Sequence, residues 1–320
     1  MTGSSDDRRS LLATLVGGIA VVLWSLLALL TVEAGNIPPF QLLAMTFSVA
    51  AVAMFVVVVR RGLSALDTLQ QPWGAWALGV GGFFGYHVFY FIAMQNAPPA
   101  EASLICFLWP LLVVLFSAFL PGQRLAWYHI AGGILGFAGV VLLVTGGDEG
   151  TLAFKWEYWP GYLAALCCAL IWSTYSVANR RYARVPSEIV AGYCAVVAVL
   201  GYFCHLTFEK TMLPDSLWQW LAVLALGLGP VGLAFYAWDF GTKRGSLPVL
   251  GALSYGAPMI STVLLVAFGL VEPSWTIAGA CLLIVAGAVI AAHHLLLPKK
   301  PAAEPAPPPP AVEEPPRRAA

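Results

Sequence analysis

Ten separate stretches of about 20 apolar residues recur along this 320-residue chain, and each is long enough to cross the ~30 Å hydrocarbon core of a bilayer as a helix. They run roughly from Leu11 to Thr31, Phe40 to Val59, Trp73 to Met94, Ala100 to Leu120, Ala126 to Thr145, Trp159 to Asn179, Ser187 to Leu206, Leu217 to Trp238, Leu247 to Gly269 and Pro273 to His293. Helix is the required form because any open backbone would leave N–H and C=O groups unpaired in lipid. Composition agrees, with 60% hydrophobic and only 10% charged residues, where soluble domains hold roughly 45–50% and 25%. The expected fold class is an all-α membrane protein with ten transmembrane helices, bounded by the lipid bilayer.

The few charges set the orientation. With the N-terminus inside, the inner segments hold 14 of the 16 Lys and Arg residues, and the outer ones hold only Lys155 and Lys210. The positive-inside rule then puts both termini in the cytoplasm, which needs an even number of spans. The chain divides into a cytoplasmic tail (1–10), a first block of five helices (11–146), an external connecting loop (147–158), a second block of five (159–294) and a Pro-rich cytoplasmic tail (295–320) expected to be disordered. The first apolar run is too long for a signal-peptide core and has no small-residue cleavage site before Glu33, so it reads as a retained helix. A formal charge of zero gives no reason to expect nucleic acid as a partner.

The two blocks are copies of one another. A shift of 148 residues, without gaps, superposes Trp24-Ser25 on Trp172-Ser173, Pro38 on Pro186, Ala77-Leu78-Gly79 on Ala225-Leu226-Gly227, Pro110 on Pro258, Trp127 on Trp275 and Gly139 on Gly287. Tryptophan and proline are too rare for one register to match them by chance over the whole length. Five helices per copy is an odd number, so the second copy enters the membrane from the opposite face. Two inverted five-helix repeats share a cavity near the midplane, an arrangement built for transport.

These features resemble the drug/metabolite transporter superfamily, in its EamA-like kind: ten helices, a duplicated five-helix unit, Trp-Ser in the first helix of each half and a proline in the fourth. Gly85-Tyr86-His87-Val88-Phe89-Tyr90, followed by Leu108-Trp109-Pro110, is similar to the YddG-type exporters of aromatic amino acids and related metabolites. The resemblance implies export of such solutes by a secondary transporter or facilitator in the inner membrane. It carries one departure. The glutamate that relatives hold before the fifth helix of each half is present as Glu272, but its counterpart is Arg124.

Helical spacing puts Phe83, Tyr86, His87, Tyr90 and Met94 on one stripe of the third span. Imidazole and phenol groups beside aromatic carbon suit a ligand with an apolar ring and polar ends; packing, with His87 bonded to a backbone carbonyl, is the competing explanation. Trp109-Pro110 and Tyr255 with Pro258 interrupt the fourth and ninth spans, where a proline frees a carbonyl that a polar cavity can use and lipid cannot. Trp24 with Ser25, and Trp172 with Ser173 and Tyr175, lie too far inside their spans for the interfacial belt to which Trp73, Trp76, Trp127, Trp156, Trp159, Trp218 and Trp275 are assigned. The expected substrate site is therefore Trp24, Tyr86, His87, Tyr90, Trp109, Pro110, Trp172, Ser173, Tyr175 and Tyr255, converging at the midplane.

Gly132, Gly136 and Gly139 on the fifth span and Gly279 and Gly287 on the tenth read as close-packing faces, as do Gly81 and Gly85. The six cysteines lie within apolar runs and read as buried hydrophobes. Asp239 near the inner end of the eighth span has Lys243 one turn on as a partner, which leaves His87 as the one deep titratable group. No catalytic group, metal site or cofactor motif stands out. Transport of another small organic solute, such as a nucleotide sugar or drug, is the alternative within transport, and an anionic substrate would need a deep Lys or Arg; a membrane-embedded enzyme or a scaffold is the alternative outside it.

Overall fold

A computed structural model of the chain describes residues 3–60, 62–121, 125–145, 155–267, 269 and 272–296. The Pro-rich tail beyond residue 296, most of the connecting loop (146–154), Arg124 and the side chains of His293 and His294 lie outside the described residues. Fourteen α-helices build the ten crossings: α1 (Gly3–Trp24) with α2 (Leu27–Glu33), α3 (Pro39–Arg60), α4 (Trp73–Asn96), α5 (Pro99–Cys106) with α6 (Trp109–Ser117), α7 (Trp127–Thr145), α8 (Trp159–Ala178), α9 (Ile189–Phe208), α10 (Leu217–Leu226) with α11 (Ala234–Arg244), α12 (Leu247–Ser254) with α13 (Gly256–Ala267), and α14 (Trp275–Leu296). Among the described residues nine crossings meet the length and hydropathy of a membrane span, and the fourth is shorter, at Glu101–Ser117. No strand occurs among the described residues.

The interruptions fall at mid-span. Pro110 cannot donate to the turn before it, and the chain breaks at Phe107-Leu108 between α5 and α6; the same register breaks the ninth crossing at Tyr255, ahead of Pro258. In the eighth crossing Pro230 sits inside a π-helical stretch, Gly227–Leu233, joining α10 to α11. Widened turns of this kind are frequent at functional sites.

The helix pairs obey a two-fold. The main contacts are α3 with α9 and α7 with α14, each uniting a helix with its own copy, together with α4 against α8 and the equivalent α11 against α1; α6 also packs on α12, which joins the fourth crossing to its copy, the ninth. Absent side chains let these backbones approach. A Cβ at Gly132 of α7 would lie 2.5 Å from the carbonyl oxygen of Gly287 on α14, and one at Gly287 would lie 2.6 Å from that of Gly132. A Cβ at Gly241 of α11 would meet the Gly17 Cα of α1 at 2.6 Å. Gly132→Val is accordingly expected to force α7 from α14 at a cost of about 1–3 kcal/mol or more, read as a lower melting temperature in detergent; an unchanged melting point would show that the seam is loose.

Two assignments made from the sequence are corrected. Gly85 meets only ordinary contacts and Gly81 faces open space; the glycines of α4 that bring it against its neighbours are Gly79, beneath Tyr193, and Gly82, beneath Tyr175. Trp76 is no belt residue, because its ring packs edge-on against Tyr193 at 5.4 Å and over Gly192. Trp73, Trp127, Trp156, Trp218 and Trp275 are exposed at helix ends as a belt requires.

Candidate functional site

Where the two repeats meet, their aromatic side chains meet too. Trp24 at the end of α1 and its copy Trp172 on α8 stand 5.7 Å apart between ring centroids. Trp109, at the start of α6, is 6.2 Å from Trp24 and 6.3 Å from Trp172, and Trp238 of α11 closes the group at 5.2 Å from Trp24 and 5.6 Å from Trp109. Four tryptophans thus come from four crossings. The Trp24 indole N–H donates to the Pro230 carbonyl at 3.1 Å, tying the π-helical stretch to the cluster, and the Trp238 N–H donates to Ser176 Oγ at 3.0 Å.

The polar wall comes from α4. Tyr86 lies 5.3 Å from Trp172 and stacks along the helix on Tyr90 at 6.1 Å, while His87, its ring 5.3 Å from that of Tyr86, is edge-on to Phe47 of α3 at 5.4 Å. The repeat register takes Tyr86, His87 and Tyr90 to Ala234, Phe235 and Trp238, so the facing wall on α11 is apolar. Phe235 contacts Phe83 at 4.4 Å and His87 at 6.3 Å. One wall offers hydroxyl and imidazole groups and the other only ring faces, the division an amino acid with an apolar side chain requires.

His87 Nδ1 lies 2.7 Å from the Phe83 carbonyl oxygen. A carbonyl only accepts, so this nitrogen carries the proton and Nε2 of the neutral ring is the acceptor. Trp24, Tyr86, His87 and Tyr90 are half-buried, whereas Trp109, Trp172, Tyr175 and Trp238 are buried and form the floor. Cys106 and Cys168 pack behind Tyr86 and Tyr90.

Not every expected residue joins. Tyr255 is fully buried elsewhere, against Phe137 at 6.4 Å and over Gly136 of α7, in a cluster with Leu104, Val140 and Ile284. The break that it marks turns its ring toward the seam of α7, so the expected convergence is corrected at this position. Pro110 presents its carbonyl to α12, where a Cβ on Gly251 would meet it at 2.8 Å, and Ser173 Oγ donates to Leu170 on its own helix at 3.1 Å. Tyr175 sits one turn below Trp172, its hydroxyl 3.5 Å from Asp239 Oδ1. Phe47, Phe83, Phe235 and Trp238 belong to the cluster and were not in the expected set; the repeat register, which relates His87 to Phe235 and Tyr90 to Trp238, was the signal for two of them.

Below the floor lies a polar cluster. Lys243 Nζ is 2.8 Å from Asp239 Oδ2 and donates to the Val185 carbonyl at 3.1 Å, and both charged side chains are fully buried. Asn179 donates to Asp239 Oδ1 and to Thr242 Oγ1, each at 3.0 Å, and Arg180 donates to the carbonyls of Thr242 and Gly245. The expected Asp239–Lys243 pair is present, so His87 is not the one deep titratable group. At the copies of these positions stand Phe91, Gln95, Thr31 and Met94, so the repeat does not reproduce the cluster. Among the described residues no group of three or more His, Cys, Asp or Glu side chains could hold a metal ion.

At the opposite end the α3–α9 pair is clasped by different chemistry. The Glu209 carboxylate accepts from the backbone N–H groups of Phe40 and Gln41, at 2.9 and 3.0 Å, where the start of α3 favours negative charge. His205 bonds Glu209 and Thr211, both at 2.9 Å. On α5, buried Glu101 accepts from the Tyr162 hydroxyl.

Such a duplicated helical bundle, with its aromatic centre where the halves meet, defines a membrane transporter. The EamA-like transporter family matches residues 11–145 and 159–292, nearly all of both halves, and the chain belongs to it. Among curated proteins it is 54% identical over 272 residues to the aromatic amino acid exporter YddG of Ancylobacter novellus, covering 85% of this chain and 94% of that one. It is 27% identical to the YddG of Escherichia coli K12, covering 79% and 87%. A solved crystal structure 53% identical to the chain superposes with a TM-score of 0.85, covering 89% of this chain and 97% of that one.

Proposed function

We propose that the protein exports aromatic and other bulky apolar amino acids and related metabolites across the cell's inner membrane, as a secondary transporter or facilitator working by alternating access. The observation that carries this reading is the two-faced centre: Tyr86, His87 and Tyr90 on one side, ring faces of Trp24, Trp109, Trp172 and Phe235 on the other. An aromatic side chain gains about 0.5–1.5 kcal/mol from each offset or edge-on ring pair, and the amino and carboxylate groups find hydroxyl and imidazole partners. The relatives named for aromatic amino acid export support the same substrate class. An anionic solute such as a nucleotide sugar fits less well, since the buried cation nearest the centre, Lys243, is already paired with Asp239.

Counterflow of labelled Phe into liposomes holding the purified protein tests the reading: Phe and Trp are expected to exchange several-fold faster than Ala, and equal rates for all would reject the substrate class. His87 is the coupling group in this reading. Phe transport driven by an imposed proton gradient is expected to lose that dependence in His87→Gln, and a variant that still follows the gradient would reject the role.

The basic residues support an orientation with both termini in the cytoplasm and the connecting loop, residues 147–158, outside. A membrane-impermeant thiol reagent added from outside is expected to label single cysteines introduced at Trp156 and to miss those at Arg181. The reversed pattern would invert the topology.

A further inference from the structure

A second recess lies away from the transport centre, at the end of the protein that carries Arg180, Lys243 and Arg244. It has a volume of about 210 Å³ and is lined by Arg184, Ser187, Glu188, Tyr236, Phe240 and Arg244, between the turn ahead of α9 and the last turns of α11. The Arg244 guanidinium is held 4.5 Å over the centroid of the Phe240 ring, and Arg184 approaches from the turn. Two guanidinium groups against the single carboxylate of Glu188 leave the recess positive. It also opens beside the first turn of α9, a 20-residue helix whose first amides donate to the carbonyls of Pro186, Ser187 and Glu188, and the helix dipole adds positive potential there.

Ser187 supplies the independent observation. It is only 3% exposed, it lines the recess, and its Oγ has no hydrogen-bond partner. A buried hydroxyl in a polar site is ordinarily satisfied, so this one is set for an acceptor from outside the chain. Tyr236 and Phe240 make the remaining wall apolar and half-buried on α11.

We propose that the recess binds the phosphate of an anionic phospholipid from the adjoining leaflet, with its oxygens between Arg184 and Arg244, Ser187 donating to one of them, and an acyl chain laid along Tyr236 and Phe240. Basic recesses between helices at a membrane's cytoplasmic face suit such headgroups. The apolar wall favours a lipid over a free anion, because a soluble phosphate gains nothing from it. Val185, between the two ends of this turn, gives its carbonyl to Lys243, so a headgroup that fixes the turn also steadies the Asp239–Lys243 pair.

The test is the melting temperature of the full chain in detergent with phosphatidylglycerol, with phosphatidylcholine of the same acyl chains, or with sodium phosphate. Phosphatidylglycerol is expected to raise it by several degrees, and the other two are not. The rise should fall by at least half in R184Q/R244Q and shrink in S187A, while Arg60→Gln, a basic residue outside the recess, keeps it. An equal rise with phosphatidylcholine, or with phosphate alone, would overturn the assignment to an anionic lipid. A full response in R184Q/R244Q would overturn the site; if that variant does not fold, a full response in S187A does so.

Discussion

Replacing Lys243 by methionine is expected to destabilise the folded protein by about 3–5 kcal/mol, the cost of leaving one member of a buried ion pair without its partner. Asp239 and Lys243 are both fully buried, so water cannot take the place of the lost ammonium group. Asn179 would be left to face the carboxylate with one amide hydrogen bond. The double variant D239L/K243M removes both charges and is expected to regain most of the loss, since apolar replacements for a buried pair are often neutral or stabilising. Melting temperatures of the wild type and the single and double variants decide it: a single variant that melts with the wild type would mean that the pair contributes nothing to the stability of the fold. The double variant carries a second consequence. Asp239 and Asn179 join α8 to α11 directly under Trp172 and Trp238, and the repeat does not reproduce them, so loss of the cluster is expected to ease opening at the basic end and change transport rate even where stability returns.

The architecture was legible in the sequence because membrane insertion and gene duplication both leave one-dimensional marks. Apolar runs of fixed length define crossings, and the 148-residue register defines which helices are copies of one another, a relation that the α3–α9 and α7–α14 seams then follow in three dimensions. The candidate centre was legible in part. Trp24 and Trp172 could be placed inward by depth alone, and the Tyr86–Tyr90 stripe by helical spacing. Tyr255 shows where that reasoning stops: a proline-associated break fixes depth in the membrane but not the direction in which a ring leaves the helix, and the close approach permitted by Gly136 drew this ring to α7. Phe235 and Trp238 were missed for the opposite reason. Neither is unusual in an apolar helix, and only the register that relates them to His87 and Tyr90 marks them. The depth of Lys243 was hidden because its position near the end of a crossing suits an exposed residue equally well; the turn that brings the Val185 carbonyl over it is a tertiary event.

Tyr86→Ala is expected to weaken binding of Phe or Trp roughly tenfold, equivalent to about 1.4 kcal/mol, with a much smaller effect on a short aliphatic amino acid. Tyr86 is half-buried and lies 5.3 Å from Trp172 with the two rings tilted, so in the proposed reading a bound aromatic side chain would meet both rings. Truncating it removes an exposed wall and little of the core. Trp172→Ala removes floor instead: that ring is 3% exposed and touches Trp24, Phe83, Trp109, Tyr175 and Phe235, so its loss is expected to cost about 3–5 kcal/mol of stability as well as binding. The pair of variants separates recognition from packing. Binding of Phe and Ala, measured at matched amounts of folded protein, should diverge in Tyr86→Ala while the melting temperature stays near the wild type; in Trp172→Ala the melting temperature should fall as well. If Tyr86→Ala weakens Phe and Ala equally, or weakens neither, the wall of α4 does not read the substrate's ring, and the aromatic centre serves only to join the two halves.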